Sequence, residues 1–416
     1  MKAEFQDEEL GNCLTTIIDH RGKTPKKLGS DWMDFGVPAI SAMNVNSGRL
    51  VAKESIRYVN DQVYRRWMSS GDVVRGDCLL VSEGATLGEC MYWDNDYPIV
   101  LSQRLFCLRA NVEKLYPKYL YAFMTSRSFQ EEVIARATGT SVPGLRQTEV
   151  LKLKIRLMPM AVQKTIGDTI YSLNTKIELN RKMSETLEQM ARAIFKSWFI
   201  DFDPVHAKRQ GKKPFGMDDA TAALFPDSFE QSELGDIPKG WRVVTVGEAY
   251  DFAYGKALKA EDRVPGNVVV MGSNGPIGFH GTHLVKGPGV VIGRKGNPGV
   301  IKYVVDNFFP IDTAFYLSTK IPEVGEAHYF SSLVLEVLNL GSLGADSAVP
   351  GLNRNLAYMS KFCLPKHHII SAFNQAVESL LSLKSCNEVE SETLANTRDL
   401  LLPRLLAGKI SIKEVS

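Results

Sequence analysis

Two short segments recur at one separation, and this repetition constrains the fold more than any other feature of the sequence. SVPGL begins at Ser141 and AVPGL at Ala348, while SETL begins at Ser184 and again at Ser391. Both pairs lie 207 residues apart, which indicates a duplication and not a coincidence of common residues. Because this separation is about half of the 416 residues, it indicates two copies of one unit and not a solenoid of short repeats.

A heptad pattern follows the first copy of the repeat. The segment from Met160 to Asp203 contains no proline and one glycine, Gly167. Two rows of mostly apolar residues recur there every seven positions, which predicts a helix of about forty residues with a coiled-coil seam. The rows are Ile166, Leu173, Asn180, Leu187 and Ile194, and Ile170, Ile177, Ser184, Ala191 and Trp198.

The repeat predicts a second helix of the same kind as a partner for the first. Its rows are Phe373, Leu380, Asn387, Leu394 and Leu401, and the weaker Val377, Lys384, Ser391 and Arg398. We therefore expect an antiparallel pair that is not a perfect zipper throughout. Asn180 and Asn387 fall at the same step of the two seams, where a polar residue sets register at some cost in stability.

The spacing of glycine-rich turns predicts two globular domains that share a fold but differ in their loops. Matching turns lie 230 residues apart at Asn44 and Asn274, and 212 apart at Gly84 and Gly296. The predicted segments are an N-terminal domain (1–157), a helix (158–203), a connector (204–240), a C-terminal domain (241–365), and a second helix with the C-terminal tail (366–416). We expect an ordered connector with four buried side chains, namely Phe215, Leu224, Phe225 and Phe229.

Composition places the chain among ordinary globular proteins and excludes several classes. Of its residues, 44% are hydrophobic and 23% charged. Six scattered cysteines without a CxxC pair argue against a disulfide framework or zinc ribbon and fit a reducing cytosol. We expect neither a signal peptide nor a membrane span, and therefore a cytoplasmic protein. The net charge of +2 neither indicates nor excludes a nucleic-acid partner.

Motifs for catalysis and cofactor binding are missing from the sequence. GPGVVIGRKG is one residue off the dinucleotide fingerprint, there is no phosphate-binding GxxxxGK[ST] loop, and HGTH lacks an evident third metal ligand. The Asn-Pro-Pro-aromatic tetrad of adenine methyltransferases is also absent. We therefore expect no catalytic residue, no metal site and no bound cofactor in this chain.

Polar loops that place amides, arginine and lysine beside glycines remain. Such side chains pair with base edges in a major groove or with phosphates. Taken singly, each is more often a plain surface loop, but their recurrence in two domains favours binding. The predicted DNA-contacting residues are Arg21, Lys23, Lys26, Asn44, Ser82, Glu83, Gln103, Arg104, Arg146, Gln147, Lys256, Ser273, Asn274, Arg294, Lys295, Asn297, Asn353 and Arg354.

Several segments resemble the DNA-specificity subunit of type I restriction-modification systems. They are TKIELNRKMSETLEQMARAIFKSWFIDFDP, GMDDATAALFPDSFEQSELGDIPKGW, GRKGNPG, PIDTAFYL, SAVPGLNR and TRDLLLPRLLAGKI. The resemblance covers essentially the whole chain. It departs from the family at the helix starts, where MPMAVQKTIGD has a single proline and PKHHIISAF replaces a polar start.

The resemblance implies an α+β fold of two similar mixed α/β target-recognition domains, separated by two long antiparallel coiled-coil spacer helices with a pseudo-two-fold internal repeat. Each domain would read one half of an asymmetric, bipartite double-stranded DNA target. Two adenine methyltransferase subunits and two ATP-dependent restriction subunits would be the partners, carrying S-adenosylmethionine, ATP and Mg. The alternatives are a coiled-coil scaffold and a stand-alone nucleic-acid-binding protein.

Overall fold

A computed structural model describes residues 5–139, 142–343 and 351–410. Ser141 and Ala348, where the repeated pentapeptides begin, lie outside the described residues. The chain forms two compact units. The first unit contains the residues up to Lys182 and those from Asn387 onward, and the second contains Met183–Cys386.

The first unit is built from eleven short strands and several helices within the described residues. Its strands are β1 Gln6–Glu9, β2 Leu14–Asp19, β3 Val37–Ile40, β4 Val45–Asn46, β5 Arg49–Leu50, β6 Arg57–Val59, β7 Cys78–Val81, β8 Cys90–Tyr92, β9 Val100–Leu101, β10 Leu105–Ala110 and β11 Lys154–Leu157. Its helices are α1 Asp61–Trp67, α2 Pro117–Met124, α3 Arg127–Arg136, α4 Gln147–Leu151 and the first part of α5 Met160–Phe199. Short 3₁₀ helices lie at Leu10–Cys13, Lys26–Leu28, Ala42–Asn44 and Lys53–Ser55.

Two sheets form the centre of the first unit. One has the strand order β2-β10-β7-β8, and the other has the order β6-β3-β9. All four residues of β7 are buried, so this strand contributes side chains to both faces of its sheet. Its cysteine and Leu80 join the core beneath α2 and α3, whereas Leu79 and Val81 join the core around Trp67 and Trp93. A continuous apolar run is typical of such a doubly covered strand.

The second unit also contains eleven strands among its described residues. Its strands are β12 Phe229–Ser232, β13 Gly235–Pro238, β14 Arg242–Thr245, β15 Tyr250–Tyr254, β16 Val268–Gly272, β17 Gly275–His280, β18 Gly289–Gly293, β19 Ile301–Val304, β20 Phe308–Pro310, β21 Ala314–Thr319 and β22 Lys361–Leu364. Its helices are α6 Asp203–Arg209, α7 Asp219–Leu224, α8 Val246–Ala249, α9 His328–Val337, α10 Arg354–Met359 and the first part of α11 His367–Leu406. Short 3₁₀ helices lie at Ala260–Asp262 and Leu340–Leu343.

The sheet topology confirms the duplication. The order β15-β21-β18-β19 repeats β2-β10-β7-β8, and β17-β16-β20 repeats β6-β3-β9. The smaller sheet has one parallel and one antiparallel pairing in both units. The pair β14-β22 likewise matches β1-β11. The mixed α+β architecture with an internal repeat, predicted from the sequence, is therefore confirmed.

The two long helices match in length and in position within the repeat. Both α5 and α11 contain 40 residues, and they begin 207 positions apart, at Met160 and His367. The unusual residues at the two helix starts therefore leave the starts in register. None of the seam residues is exposed, and Asn180 and Asn387 are buried.

Contacts within each unit show that the two helices run antiparallel. In the first unit Lys176 contacts Glu390, and Asn174 accepts a hydrogen bond from Arg398, so the numbering of one helix falls as the other rises. The Nδ2 of Asn180 donates to Glu390 at 2.7 Å, as expected for a polar residue that sets register. In the second unit Lys384 lies 3.8 Å from Glu188, and the rings of Phe195 and Phe373 lie 5.9 Å apart, so the numbering again falls on one helix as it rises on the other.

The connector is ordered, as predicted, but one of the four side chains that were predicted to be buried is exposed. Phe225 is buried, and Leu224 and Phe229 pack partly buried against the core of the second unit. Phe215 is fully exposed, because it lies in the turn between α6 and α7 and not on either helix. The ammonium group of Lys208 donates to the carbonyl of Ala222 and so joins the two short helices.

No helix among the described residues is both long and apolar enough to cross a bilayer.

Candidate nucleic-acid interface

Three loop segments meet at the end of β7 in the first unit. The amide of Ser82 donates to the carbonyl of Arg104 at 2.9 Å, and the amide of Leu145 donates to the carbonyl of Ser82 at 2.8 Å. The amide of Gly84 donates to the carbonyl of Pro143 at 3.0 Å. These backbone hydrogen bonds hold segments far apart in sequence in a fixed arrangement.

Charged side chains gather around this loop junction. Glu83 accepts a hydrogen bond from the guanidinium of Arg21 at 3.2 Å and lies 3.6 Å from that of Arg104. Arg21 also pairs with Asp19 at 2.7 Å. Together with Arg146, these residues form what we call the first loop cluster, and four of them line a recess of about 340 Å³. The lining four are Arg21, Glu83, Arg104 and Arg146.

The ion pair between Asp19 and Arg21 stabilises the charged form of both residues. Partial burial disfavours ionisation of Asp19, but hydrogen bonds and charge from Arg21 outweigh it and lower the pKa of the carboxyl. The hydrogen bonds that Arg21 donates to Asp19 raise the pKa of Arg21. The guanidinium of Arg21 also lies 4.3 Å from the ring centroid of Phe106, a cation–π geometry. Arg21 is therefore held in place by three neighbours.

Arg104 adopts a backbone conformation that side-chain-bearing residues usually avoid. Its φ is 63°, in the left-handed region, where a residue other than glycine is destabilised by roughly 1 kcal/mol or more. The hydrogen bond from Ser82 to its carbonyl fixes this conformation. Strain of this kind is concentrated at functional sites, so the position of Arg104 is notable.

The same backbone frame recurs at the end of β18 in the second unit. The amides of Arg294 and Lys295 donate to the carbonyl of Thr313, and the amide of Leu352 donates to the carbonyl of Arg294. Lys295 forms an isolated β-bridge with Gly351, as Glu83 does with Gly144. Arg294 and Lys295 therefore occupy the places of Ser82 and Glu83.

Side chains of different chemistry surround this second junction. The guanidinium groups of Arg294 and Arg354 lie over the ring of the half-exposed Tyr254, 4.9 Å and 5.1 Å from its centroid. Arg294 also donates to the carbonyl of Asp312 at 2.8 Å. Tyr254, Arg294, Lys295 and Arg354 form what we call the second loop cluster.

The tip of the β16–β17 hairpin lies beside the second loop cluster. A Cβ added at Gly293 would come 2.6 Å from the carbonyl oxygen of Ser273 and closer still to that of Asn297. Only glycine permits this approach. The structure thus brings Ser273 and Asn297 together with the loop that carries Arg294, and the adjoining Asn274 is exposed.

The remaining predicted residues are distributed more widely. Lys26, Gln103, Lys256 and Asn353 are exposed, and Asn353 caps α10 through its side chain. Lys23 donates to the carbonyl of Trp67 and the hydroxyl of Ser69. Gln147 is the first residue of α4.

Two of the predicted residues are interior. Asn44 is buried, and its amide group bonds to Ser41, Ala52 and Ser55 within its own loop. Ser82 is fully buried. We leave both out of the proposed interface because neither side chain reaches the surface.

Sequence reasoning missed Asp19 and Tyr254. The predicted residues are mostly amides and cations near glycines, whereas these two residues end the strands β2 and β15. An aromatic residue directly before Gly255 and Lys256 was the available signal for Tyr254. Among residues 5–139, 142–343 and 351–410, no group of three His, Cys, Asp or Glu side chains could hold a metal ion.

Comparisons with known proteins identify relatives along most of the chain. A family model described as the type I restriction modification DNA specificity domain matches residues 6–189. The specificity subunit of the type I restriction enzyme HindI from Haemophilus influenzae is 26% identical, over 81% of this chain and 87% of its own length. The MjaVIII specificity subunit from Methanocaldococcus jannaschii is 21% identical, over 99% of this chain and 94% of its own length.

The fold is also that of a solved specificity subunit. The crystal structure of the type I restriction-modification S subunit from M. genitalium superposes with a TM-score of 0.60 at 18% identity. The superposition covers 97% of this chain and 96% of the M. genitalium subunit. Residues 6–189 therefore match the type I restriction modification DNA specificity domain, and the chain as a whole is similar in sequence and in fold to type I specificity subunits.

Proposed function

We propose that this chain recognises a bipartite, asymmetric sequence in double-stranded DNA, with one half-site contacted by each domain. One observation carries the proposal: the loop frame at Ser82–Glu83 recurs at Arg294–Lys295 with different side chains. A repeated frame supports two recognition sites of the same kind. Different side chains on it support two different half-sites.

The exposed groups of the clusters have the chemistry that duplex DNA requires. Arginine and lysine pair with guanine edges or phosphates, asparagine and glutamine pair with adenine edges, and a carboxylate accepts from cytosine. Within the described residues, the second loop cluster carries three cations and no carboxylate, whereas the first pairs two of its three arginines with Asp19 and Glu83. We therefore assign the larger share of phosphate attraction to the second domain.

We further propose that the paired helices dock the partner subunits. These are two adenine methyltransferase subunits and two ATP-dependent restriction subunits, as the similarity to type I specificity subunits supports. The chain itself would be non-catalytic, and S-adenosylmethionine, ATP and Mg would bind to the partners. The 40-residue length of each helix supports a role in setting the gap between half-sites.

Methylation mapping tests the proposal. The chain is co-expressed with its methyltransferase subunit, and N6-methyladenine is mapped across a genome. We expect a motif with two specified halves and an unspecified gap. Marks at random positions, or a single uninterrupted motif, would contradict the two-domain proposal and favour a scaffold.

A loop exchange then assigns the half-sites. Replacing Arg294 and Lys295 with serine and glutamate, the residues of the first domain, is expected to change one half only. Lys239→Gln, which alters an exposed residue in the turn before β14, is the control and should leave the motif intact. A change in both halves would contradict separate recognition by the two domains.

A further inference from the structure

The position held by Glu83 in the first domain and by Lys295 in the second reverses its charge on a common backbone frame. Both residues follow a central strand, β7 or β18, and both form a β-bridge to a glycine of the VPGL repeat, Gly144 or Gly351. The residue before each accepts a hydrogen bond from the leucine after that glycine. The two side chains therefore start from equivalent backbone positions.

Glu83 is held in a defined place. A Cβ added at Gly144 would come 2.8 Å from the Cγ of Glu83, so the aliphatic part of the side chain lies against the glycine. The carboxylate pairs with Arg21 and Arg104 on either side, and about a third of the side chain stays exposed. Each carboxylate oxygen can accept more than one hydrogen bond, so the group retains the capacity to accept another.

Lys295 is exposed and, across the described part of the chain, has no acidic side chain within ion-pair distance. Its backbone pairs with Gly351 in an isolated β-bridge, directly after Arg294. Its ammonium group is thus available to a ligand as a donor.

A carboxylate on a DNA-binding surface opposes affinity, because it repels the phosphates. Such a group is useful only where it gains discrimination, by accepting from an amino group of the right base and by repelling the acceptor edge of a wrong one. The two flanking arginines reduce the repulsion without removing the acceptor.

We propose, on the basis of the proposed function, that Glu83 and Lys295 are specificity-determining residues at corresponding places of the two half-sites. Glu83 accepts from the N4 amino group of a cytosine, and Lys295 donates to the O6 and N7 atoms of a guanine. The reversal of charge at one shared position is then a direct cause of the asymmetry of the target.

Methylation mapping of single variants tests this inference. Each variant is co-expressed with the methyltransferase subunit, namely Glu83→Lys, Glu83→Gln, Lys295→Glu and Lys295→Gln, with the exposed-residue variants Glu113→Gln and Lys239→Gln as controls. Co-purification with the methyltransferase and thermal unfolding establish that each variant is folded. We expect Glu83→Lys to change the preference at one base pair of one half by about ten-fold, the size typical of a specific side-chain contact. Lys295→Glu should change the preference at one base pair of the other half. Each glutamine variant should relax the preference at the same base pair that the charge reversal of that residue changes.

The other outcomes separate the inference from the proposed function. If the wild type shows a two-part motif and all four variants keep it unchanged, the inference is wrong and the proposed function stands. If folded Glu83→Gln methylates all sequences more weakly without a change of preference, Glu83 only positions Arg21 and Arg104, and the inference is again wrong. If the wild type shows no two-part motif, the proposed function fails, and the inference fails with it.

Discussion

At the scale of single residues, the two loop clusters hold their arginines by different means. Arg21 is neutralised by Asp19 and Glu83, whereas Arg294 and Arg354 lie against the ring of Tyr254. A guanidinium group over an aromatic ring keeps its charge available to a phosphate, while one that is paired with carboxylates does so less. The same frame can therefore carry different recognition chemistry.

Arg104 allows backbone strain and ligand binding to be separated. Glycine tolerates the left-handed conformation, so Arg104→Gly should leave the free energy of unfolding unchanged or raise it by about 1 kcal/mol. DNA affinity should nevertheless fall, since the cation is lost. Urea unfolding and a DNA-binding titration measure the two effects. Arg104→Ala is the matched variant, because it removes the cation but keeps the backbone strain. A lower free energy of unfolding for Arg104→Gly than for Arg104→Ala would contradict this account.

Cysteine reactivity should follow burial. Cys13, Cys78, Cys90 and Cys107 are buried, and burial raises the pKa of each thiol, as it raises that of Cys363 to about 12. Only a thiolate reacts readily with iodoacetamide, so at pH 8 these five should stay unmodified in the native protein. The exposed Cys386 should be modified first. Peptide mass spectrometry measures the modification, with urea-unfolded protein as the control in which all six react.

At the scale of elements, the two long helices share length and register but not their packing. A Cβ added at Gly167 of α5 would come 2.6 Å from the backbone nitrogen of Tyr119, so α2 packs directly on that glycine. The equivalent residue of α11, Asn374, lines an open groove of about 780 Å³ within the second unit. The glycine therefore allows close helix packing in the first unit, whereas Asn374 in the second unit faces a groove.

Gly167→Ala should lower the free energy of unfolding by about 1 to 2 kcal/mol. Alanine gains about 1 kcal/mol from helix propensity, but overpacking against rigid backbone costs more. Asn374→Ala, at the open position, should be neutral or slightly stabilising. Chemical denaturation of both variants decides the matter, and stabilisation by Gly167→Ala would show that α2 does not pack as described.

The buried Asn180 should cost the helix pair stability. Among the described residues its Oδ1 has no hydrogen-bond partner, and an unsatisfied buried polar atom is destabilising. Asn180→Leu should therefore raise the free energy of unfolding by about 1 kcal/mol beyond the gain in helix propensity. Ser172→Leu, at an exposed position of the same helix, measures that gain alone. Equal effects of the two substitutions would show that Asn180 carries no such penalty.

At the scale of the whole molecule, the helices should set the distance between the half-sites. One heptad inserted into both α5 and α11, beside Met183 and Cys386, preserves the phase of the seams. It adds about 10 Å, or about three base pairs of duplex. Methylation mapping should return the same two half-sites with a wider gap. An unchanged gap with activity retained would contradict this role, and an insertion into α5 alone should lower stability by shifting one seam against the other.

Much of the large-scale organisation was predictable from the sequence. The separation of 207 residues in SETL reappears as the offset between Met160 and His367, where the two helices begin. Heptad periodicity is a local property, so it is readable without coordinates. The predicted domain boundaries remain predictions. The two compact units are divided within the long helices, after Lys182 and before Asn387, and this division does not test where the globular domains begin and end. The candidate site was less predictable, because the sequence does not tell whether a polar loop residue such as Asn44 or Ser82 is buried or exposed.

The sequence by itself determined the duplication and the paired helices, because repeated segments and periodic apolar residues are visible without coordinates. Only the tertiary structure decided which side chains meet. Arg21 and Glu83 lie 62 positions apart, and they come together through strand pairing and loop hydrogen bonds. Tyr254 reaches Arg294 and Arg354 in the same way. Such contacts depend on the register of distant backbone segments, which no local pattern of residues specifies.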